Sequence, residues 1–338
     1  PVSDSSTGEV IAEVPCCTVE EVEEAIASAA SAFPAWSQTS ISQRTQMMFK
    51  WRNILMDHLE ELSVLCAKEL GKKPLRGPGR HSEGHRADGS WPALQPFITQ
   101  GSASLQVTTG FDTAAYRMPL GVVAGIVPFN FPAMIPWGWI VPLAVVTGNT
   151  VVLKAASYTP LTSMRILELF YHEAGFPKGV VNLVTCSRKE SELFLTDPRV
   201  KAVTFVGVHG DRQAHLLCGR RPWKAGTGSV RGQDHALVLE DCDLESATNA
   251  IIPTYGCAGM RCMALPVVVV QESIADRFVQ LLSKKAMALK VGCAYDPETT
   301  LGPVVNAEHK KFICDWIQKG VDEGAELVLM GGILWSPA

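Results

Sequence analysis

The run Gly256-Cys257-Ala258-Gly259-Met260-Arg261-Cys262-Met263 carries the residue types of a nucleophilic site. Small residues let a ligand approach the backbone, and the Arg261 guanidinium can lower a thiol pKa or hold a substrate carboxylate. Cys262 is the candidate nucleophile. No His–Cys spacing supports a protease-type pair, and His235, the nearest histidine in sequence, reads equally well as a strand-start residue. A second candidate lies in Val127-Pro128-Phe129-Asn130-Phe131-Pro132, which ends a buried apolar run. Asn130 offers an amide donor where an oxyanion could form, and losing one such donor typically costs about 100- to 1000-fold in rate. Taken alone, a turn asparagine among prolines is also a structural residue. Lys154 closes the next apolar run, where it could bond ribose hydroxyls or phosphate; alone it is a surface charge.

Strands and helices in alternation must position these residues. Apolar runs predict strands at Val122–Val127, Thr150–Leu153, Val180–Val184 and Ala202–Val206, with a helix over Pro160–Ala174 between the second and third. Thr159 is expected as its N-cap, Pro160 at its first position and Gly175 as its stop. Upstream, Thr18-Val-Glu-Glu21 is a capping box before apolar positions at helical spacing. Ser42–Leu70 reads as a second helical region, broken near Asp57 and stopped at Gly71. Downstream, strands are expected at Ala236–Leu239, Val267–Val270 and Leu327–Met330. Helices are expected from Leu244 to about Tyr255, over Ser273–Leu289 and over Asn306–Glu323. Such alternation argues a doubly wound parallel sheet. A dinucleotide fold would ordinarily show GxGxxG after its first strand. The nearest run, Gly226-Thr-Gly228-Ser-Val-Arg-Gly232, has the wrong final spacing and reads as coil.

Composition sets the outer bounds. The 338 residues are 47% hydrophobic and 19% charged, enough for about two domains of about 150 residues and inconsistent with disorder, collagen or coiled coil. A formal charge of −4 provides no basic footprint for nucleic acid or a membrane surface. Ten cysteines are too sparse for a disulfide scaffold and show neither a CxxC pair nor zinc-ligand spacing, so most read as buried thiols of a reducing compartment. From Met118 to Leu153 no residue is charged, but five prolines and four glycines break that stretch, which favours a buried strand–turn–helix–strand unit over a membrane span. No signal peptide precedes Pro1, and a start in mid-pattern reads as a fragment.

Two segments, Lys72–Gln100 and Val208–Arg231, are rich in Gly, Arg, Pro and His and have no usable periodicity. Loops of more than about 15 residues without structure are uncommon in a compact domain. The other motifs, taken together, resemble the aldehyde dehydrogenase superfamily. Phe-Val-Gly (Phe205–Gly207) and Leu-Gly-Pro (Leu301–Pro303) stand in the family's order with Pro128–Pro132, Gly148–Lys154 and Ala258–Ala264. Ala32–Trp36 and Tyr116–Pro136 resemble the CoA-acylating branch that oxidises methylmalonate semialdehyde. Back-translated and shifted by one nucleotide, Gly77–Arg86, Val208–Leu217 and Pro222–Gly228 each permit a family-like run. Both odd segments therefore read as translated out of frame, which resequencing of the coding DNA would test.

The resemblance implies an α/β chain with an NAD-binding domain over residues 1–233, oligomerisation strands near 103–118, and a catalytic domain over 234–338 whose C-terminal part lies beyond Ala338. It implies Cys262 as nucleophile, with Asn130 and the Cys262 backbone N–H holding the oxyanion. Val127, Phe129, Lys154, Ser157 and Gly207 would contact the NAD cofactor, and Arg261 the substrate carboxylate. CoA would be the co-substrate and a small semialdehyde the substrate, in a homo-oligomer of the cytoplasm or mitochondrial matrix, with no metal. Hydrolytic oxidation and a catalytically inactive remnant remain the alternatives. Three departures stand out. Ser157 occupies the family's ribose-binding carboxylate position, Val208 stands where the family has Ser, and Ser229 stands where hydrolytic relatives carry a general-base Glu.

Overall fold

The computed structural model describes residues 1–72, 98–207, 225–230, 234–258 and 260–329. The expected readings for 73–97 and 208–224 lie outside them. Contacts divide the chain into two units, each discontinuous in sequence: Glu13–Leu65 with Leu75–Arg231, and Pro1–Ala12 with Cys66–Pro74 and Gly232–Ala338. The expected single boundary near residue 233 differs in that Pro1–Ala12 and Cys66–Pro74 group with Gly232–Ala338.

The larger unit is built on five parallel strands: β5 (Val122–Ile126), β6 (Thr150–Lys154), β7 (Val181–Val184), β8 (Val200–Gly207) and β9 (Ala225–Val230). Their spatial order is β7-β6-β5-β8-β9. The chain starts in the middle, winds outward on one side and returns to wind outward on the other. This is the doubly wound order, and its switch point falls between β5 and β8. Ile126 sits opposite both Lys154 and Phe205, which fixes which residues reach the carboxyl edge together.

Side chains alternate along the strands and so feed two cores. Val152, Val122 and Ala124 meet Val22, Ile26 and Ala29 of helix α1 (Val19–Gln38) on one face. On the other face, Val151 and Leu153 join a core with Trp51 of α2 (Ile41–Asp57) and with Trp137, a residue of the π-helical turn Met134–Ile140. Val145 of α4 (Val141–Val146) and Phe170 of α5 (Leu161–His172) belong to that same core, and the short helices α6 (Arg188–Ser191) and α7 (Leu193–Thr196) lie between β7 and β8. Gly125 is what lets the π-helical turn lie on β5. A Cβ there would stand 2.8 Å from the Leu153 side chain and 3.2 Å from Ile140. The Thr18 capping box forms as expected, and the expected break near Asp57 falls at His58, before α3 (Leu59–Leu70). The uncharged stretch becomes β5, the π-helical turn, α4 and β6. Among the described residues no helix is long and apolar enough to cross a membrane.

Three expectations are corrected. Ala225–Val230, which includes the Gly226-Thr-Gly228 run read as coil, is a strand paired in parallel with β8. Its ladder is made by backbone groups, so a glycine-rich edge needs no apolar pattern to form it. Pro160, not Thr159, is the N-cap of α5. Thr159 instead donates its hydroxyl to the Phe129 carbonyl at 2.8 Å. Leu327–Leu329 are irregular, because no strand among the described residues pairs with them.

The expected strands near 103–118 form an antiparallel hairpin, β3 (Ser102–Thr108) with β4 (Phe111–Ala115), exposed along its whole length.

In the other unit β1 (Val2–Ser3) pairs antiparallel with β2 (Val10–Ala12), and β10 (His235–Val238) runs parallel to β11 (Val267–Val270). Helices α8 (Leu244–Ile251) and α9 (Ala275–Met287) pack with them around Val238, Ile251, Ile274 and Phe278, and α10 (Ala307–Asp322) follows. Asp243 caps α8 as acceptor from the Glu245 and Ser246 N–H groups. The Leu-Gly-Pro motif is a backbone crossing. A Cβ on Gly302 would lie 2.0 Å from the Gly71 carbonyl oxygen, and one on Gly71, at φ +80°, would lie 2.4 Å from that of Pro303.

Candidate functional site

In the larger unit the site grows from the carboxyl edge of the sheet. The chain leaves β5 through Val127, whose N–H donates to the Lys154 carbonyl at 3.3 Å, and turns over Pro128–Pro132. Two hydroxyls from the start of α5 hold that loop. Thr159 bonds the Phe129 carbonyl, and Ser163 donates to the Pro132 carbonyl at 2.6 Å. Both side chains are almost fully buried. Asn130 therefore sits in a loop fixed on each side, outside the end of β5 and next to the switch point. Phe129 meets Tyr158 edge-on, with ring centroids 6.2 Å apart.

Lys154 ends β6 and is half-buried; Ser157, three residues on, is exposed. Gly207 ends β8, where a Cβ would fall 2.3 Å from the Phe205 ring. Lys154 and Gly207 are the last residues of their strands, Val127, Phe129 and Ser157 follow strand ends by one to three residues and Asn130 by four, so the topology gathers all six on one edge. Below Lys154, Cys186 is buried, and desolvation pushes its thiol up to about 11 despite the nearby Lys154 cation.

Cys262 and Arg261 belong to the other unit. The chain after α8 tightens into a 3-10 turn over Ile252–Cys257 and is stopped by Ala258, a non-glycine residue at φ +47°. Left-handed backbone at such a residue is uncommon and concentrates at functional turns. Beyond it Met260 is buried, and the Ala264 N–H donates to the Arg261 carbonyl at 3.2 Å. That bond closes a tight turn with Cys262 and Met263 at its centre. Cys262 is exposed there. A turn tip before a strand presents a thiol where a packed core cysteine would be enclosed.

Sequence reasoning missed Thr159 and Ser163 as positioning residues. Their signal was present only as hydroxyl residues near a helix start, where capping is the ordinary reading. Asn149, quoted only as part of a motif, also has a specific task. Its Oδ1 accepts from the N–H groups of Leu120 and Gly121 at 2.7 and 3.1 Å, setting the start of β5. Among the described residues no group of His, Cys, Asp and Glu could hold a metal.

The carboxyl edge at the switch point of a doubly wound sheet is where such sheets bind ligands, and Asn130, Lys154 and Ser157 all stand on that edge. The aldehyde dehydrogenase family model matches residues 1–337, and the chain belongs to that family of oxidoreductases. Malonate-semialdehyde dehydrogenase 1 of Oceanobacillus iheyensis is 39% identical over 331 residues, covering 98% of this chain and 68% of that protein. The crystal structure of methylmalonate-semialdehyde dehydrogenase from Oceanimonas doudoroffii superposes with a TM-score of 0.90 at 32% identity, covering 97% of this chain and 67% of its own. A Sinorhizobium meliloti relative solved in complex with NAD is 31% identical with a TM-score of 0.89, at the same coverage.

Proposed function

We propose that the chain catalyses NAD-dependent, CoA-acylating oxidation of malonate or methylmalonate semialdehyde, yielding acetyl-CoA or propionyl-CoA with release of CO2. The observation that carries the reading is the Asn130 loop, held by Thr159 and Ser163 at the switch point of a 3-2-1-4-5 sheet. The names of the similar proteins supply the substrate class. The dinucleotide fits the residues present: the crevice lies outside the strand ends, Lys154 offers a cation, and Ser157 an exposed hydroxyl. Val127 and Phe129 supply an apolar wall, and Gly207 leaves the end of β8 without a side chain.

In this proposal the Cys262 thiolate adds to the aldehyde carbon. By the family resemblance, the resulting alkoxide would accept hydrogen bonds from the Asn130 amide and from the Cys262 backbone N–H. A nicotinamide cofactor, when bound, would supply the hydride acceptor. Loss of hydride from the substrate carbon would leave a β-carboxy thioester on Cys262. Its C–CO2 bond then breaks to release CO2, the electron pair passing into the thioester as an enolate that takes up a proton. The CoA thiolate displaces the Cys262 thiolate from the resulting acetyl or propionyl thioester. Arg261 holds the substrate carboxylate. Ser229 in the position of a general-base Glu supports thiol over water as acyl acceptor. The exposed β3–β4 hairpin supports association with further copies of the chain. Product analysis with and without CoA tests the choice: an acyl-CoA is expected, and a free acid formed at full rate without CoA contradicts it.

A further inference from the structure

We propose that Cys17 and Cys186 are a thiol–disulfide pair of the larger unit, closed by a low-molecular-weight disulfide and reopened by thiol. The chain ahead of α1 runs alongside the end of β7 and is bonded to it twice. The Cys17 N–H donates to the Thr185 carbonyl at 2.6 Å, and the Thr185 hydroxyl donates to the Pro15 carbonyl at 2.6 Å. Backbone partners of this kind have Cα atoms about 5 to 6 Å apart, and a disulfide spans about 4 to 7 Å. Cys186 is the residue next to Thr185, and it belongs to the core that Cys17 packs against. Burial chiefly raises the Cys186 thiol, and Cys17 and, less, Cys16 add to that rise, so all three sulfurs stand within electrostatic reach.

Exposure decides which thiol acts first. Cys16 is exposed, Cys17 half-buried and Cys186 buried. Desolvation holds Cys186 protonated, with its thiol pushed up to about 11, so it does not attack an oxidant from solvent. The Cys17 thiolate attacks one sulfur of the small disulfide, forms a mixed disulfide and releases one thiolate. Cys186 then gives its proton to that thiolate and attacks the Cys17 sulfur, expelling the second. Two electrons pass from the protein, and one small disulfide becomes two thiols. Cys186 is a slow attacker, but its partner is already in place. Closure ties the start of α1 to the end of β7, where Val184 is in register with Lys154.

Incubation of the full chain with oxidised glutathione at mildly alkaline pH, followed by acid quench, alkylation and digestion without reduction, tests this by peptide mapping. A peptide pair linked through Cys186 to the Cys16–Cys17 segment is expected in most molecules. Its yield should not change on dilution of the protein, and dithiothreitol should remove it. It should exceed by about tenfold or more the yield of the same reaction in urea, where only a long flexible loop joins the two. Cys16→Ser should leave the link intact, which identifies Cys17 as the partner. Cys17→Ser should leave Cys186 unmodified, and circular dichroism verifies that both variants are folded. A glutathione adduct on Cys17 with Cys186 still free, or no reaction at Cys17, overturns the pair. Loss of the link in folded Cys16→Ser, or a yield no higher than in urea, overturns it as well.

Discussion

The Thr159 hydroxyl donates to the Phe129 carbonyl at 2.8 Å, tying the loop that bears Asn130 to the residue just ahead of helix α5. Ser163 repeats the tie one turn later at Pro132. Asn130 is thus bracketed by two bonds made by buried hydroxyls that themselves touch no substrate. A loop this close to a sheet edge would otherwise have two backbone carbonyls without fixed partners. The bonds convert a mobile turn into a fixed platform for an amide donor.

Thr159→Val keeps the shape and removes the donor. Leaving a buried carbonyl without its partner should cost about 1–2 kcal/mol in urea unfolding. Displacement of Asn130 should lower kcat for aldehyde oxidation about 10- to 100-fold, with KM little changed. Thr159→Ser should recover most of both. Recovery of stability without recovery of kcat would show that the bond has no part in positioning Asn130.

Arg44 provides a second buried test. Its side chain is 5% exposed and donates to carbonyls rather than to a carboxylate: Nε to Val146 at 3.0 Å, and Nη1 to Thr39. These oxygens lie at the C-terminal ends of α4 and α1, where helix dipoles favour a cation. Burial lowers its pKa, yet it stays charged at any ordinary pH. Arg44→Met should destabilise the larger unit by about 3 kcal/mol, because several carbonyls lose their donor together. Arg44→Lys should rescue less than half, since a point ammonium cannot bridge two helix ends. Unfolding midpoints of the three proteins decide it.

His58 sits at the break between α2 and α3, with Nδ1 2.7 Å from Glu61 and Nε2 3.2 Å from Glu173. The Glu61 hydrogen bond, with Glu173, raises its pKa; Arg165 and then His58 hold Glu61 below the usual carboxylate range. A histidine raised on folding stabilises fully below its unfolded pKa of about 6.5, and that gain disappears as pH rises through the folded value. The Glu61 contribution is present above the unfolded carboxylate pKa and disappears as pH falls through its depressed value. Unfolding free energy should therefore decline by less than about 1 kcal/mol from slightly acid to slightly alkaline pH. His58→Gln should flatten that decline. An unchanged slope in the variant would remove His58 as its source.

Much of this was legible because burial writes itself into sequence. Val122–Ile126 and Thr150–Lys154 are apolar runs that pack on both faces, so their strands and the residues after them could be located directly. What depends on distant backbone partners could not. Strand β9 exists because β8 offers a ladder, and nothing in Ala-Gly-Thr-Gly-Ser-Val announces it. Thr159 looked like a cap because local spacing is all that a sequence shows, while its partner lies 30 residues away. Gly302 was visible only as part of a motif, and its need for a bare Cα becomes physical only against the Gly71 carbonyl.

Cysteine reactivity gives the sharpest test of the candidate nucleophile. Of the described cysteines, Cys262 and Cys16 are exposed, and Cys186 is buried with its thiol pushed up to about 11. At neutral pH such a thiol is ionised in only about one molecule in ten thousand, so Cys186 should stay unlabelled during limited alkylation. Cys262 has Arg261 beside it and a turn that exposes the sulfur, and should label faster than the other nine. Cys16 is the described competitor by exposure alone. Adding the semialdehyde separates the two, because a thiol that forms an adduct with the aldehyde is protected and one that is merely exposed is not. Peptide mapping should show Cys262 labelling reduced about tenfold by the aldehyde, with Cys16 unchanged. Fast labelling at Cys257, Cys218 or Cys16 in a folded chain, with Cys262 slow and unprotected, would remove Cys262 as the nucleophile.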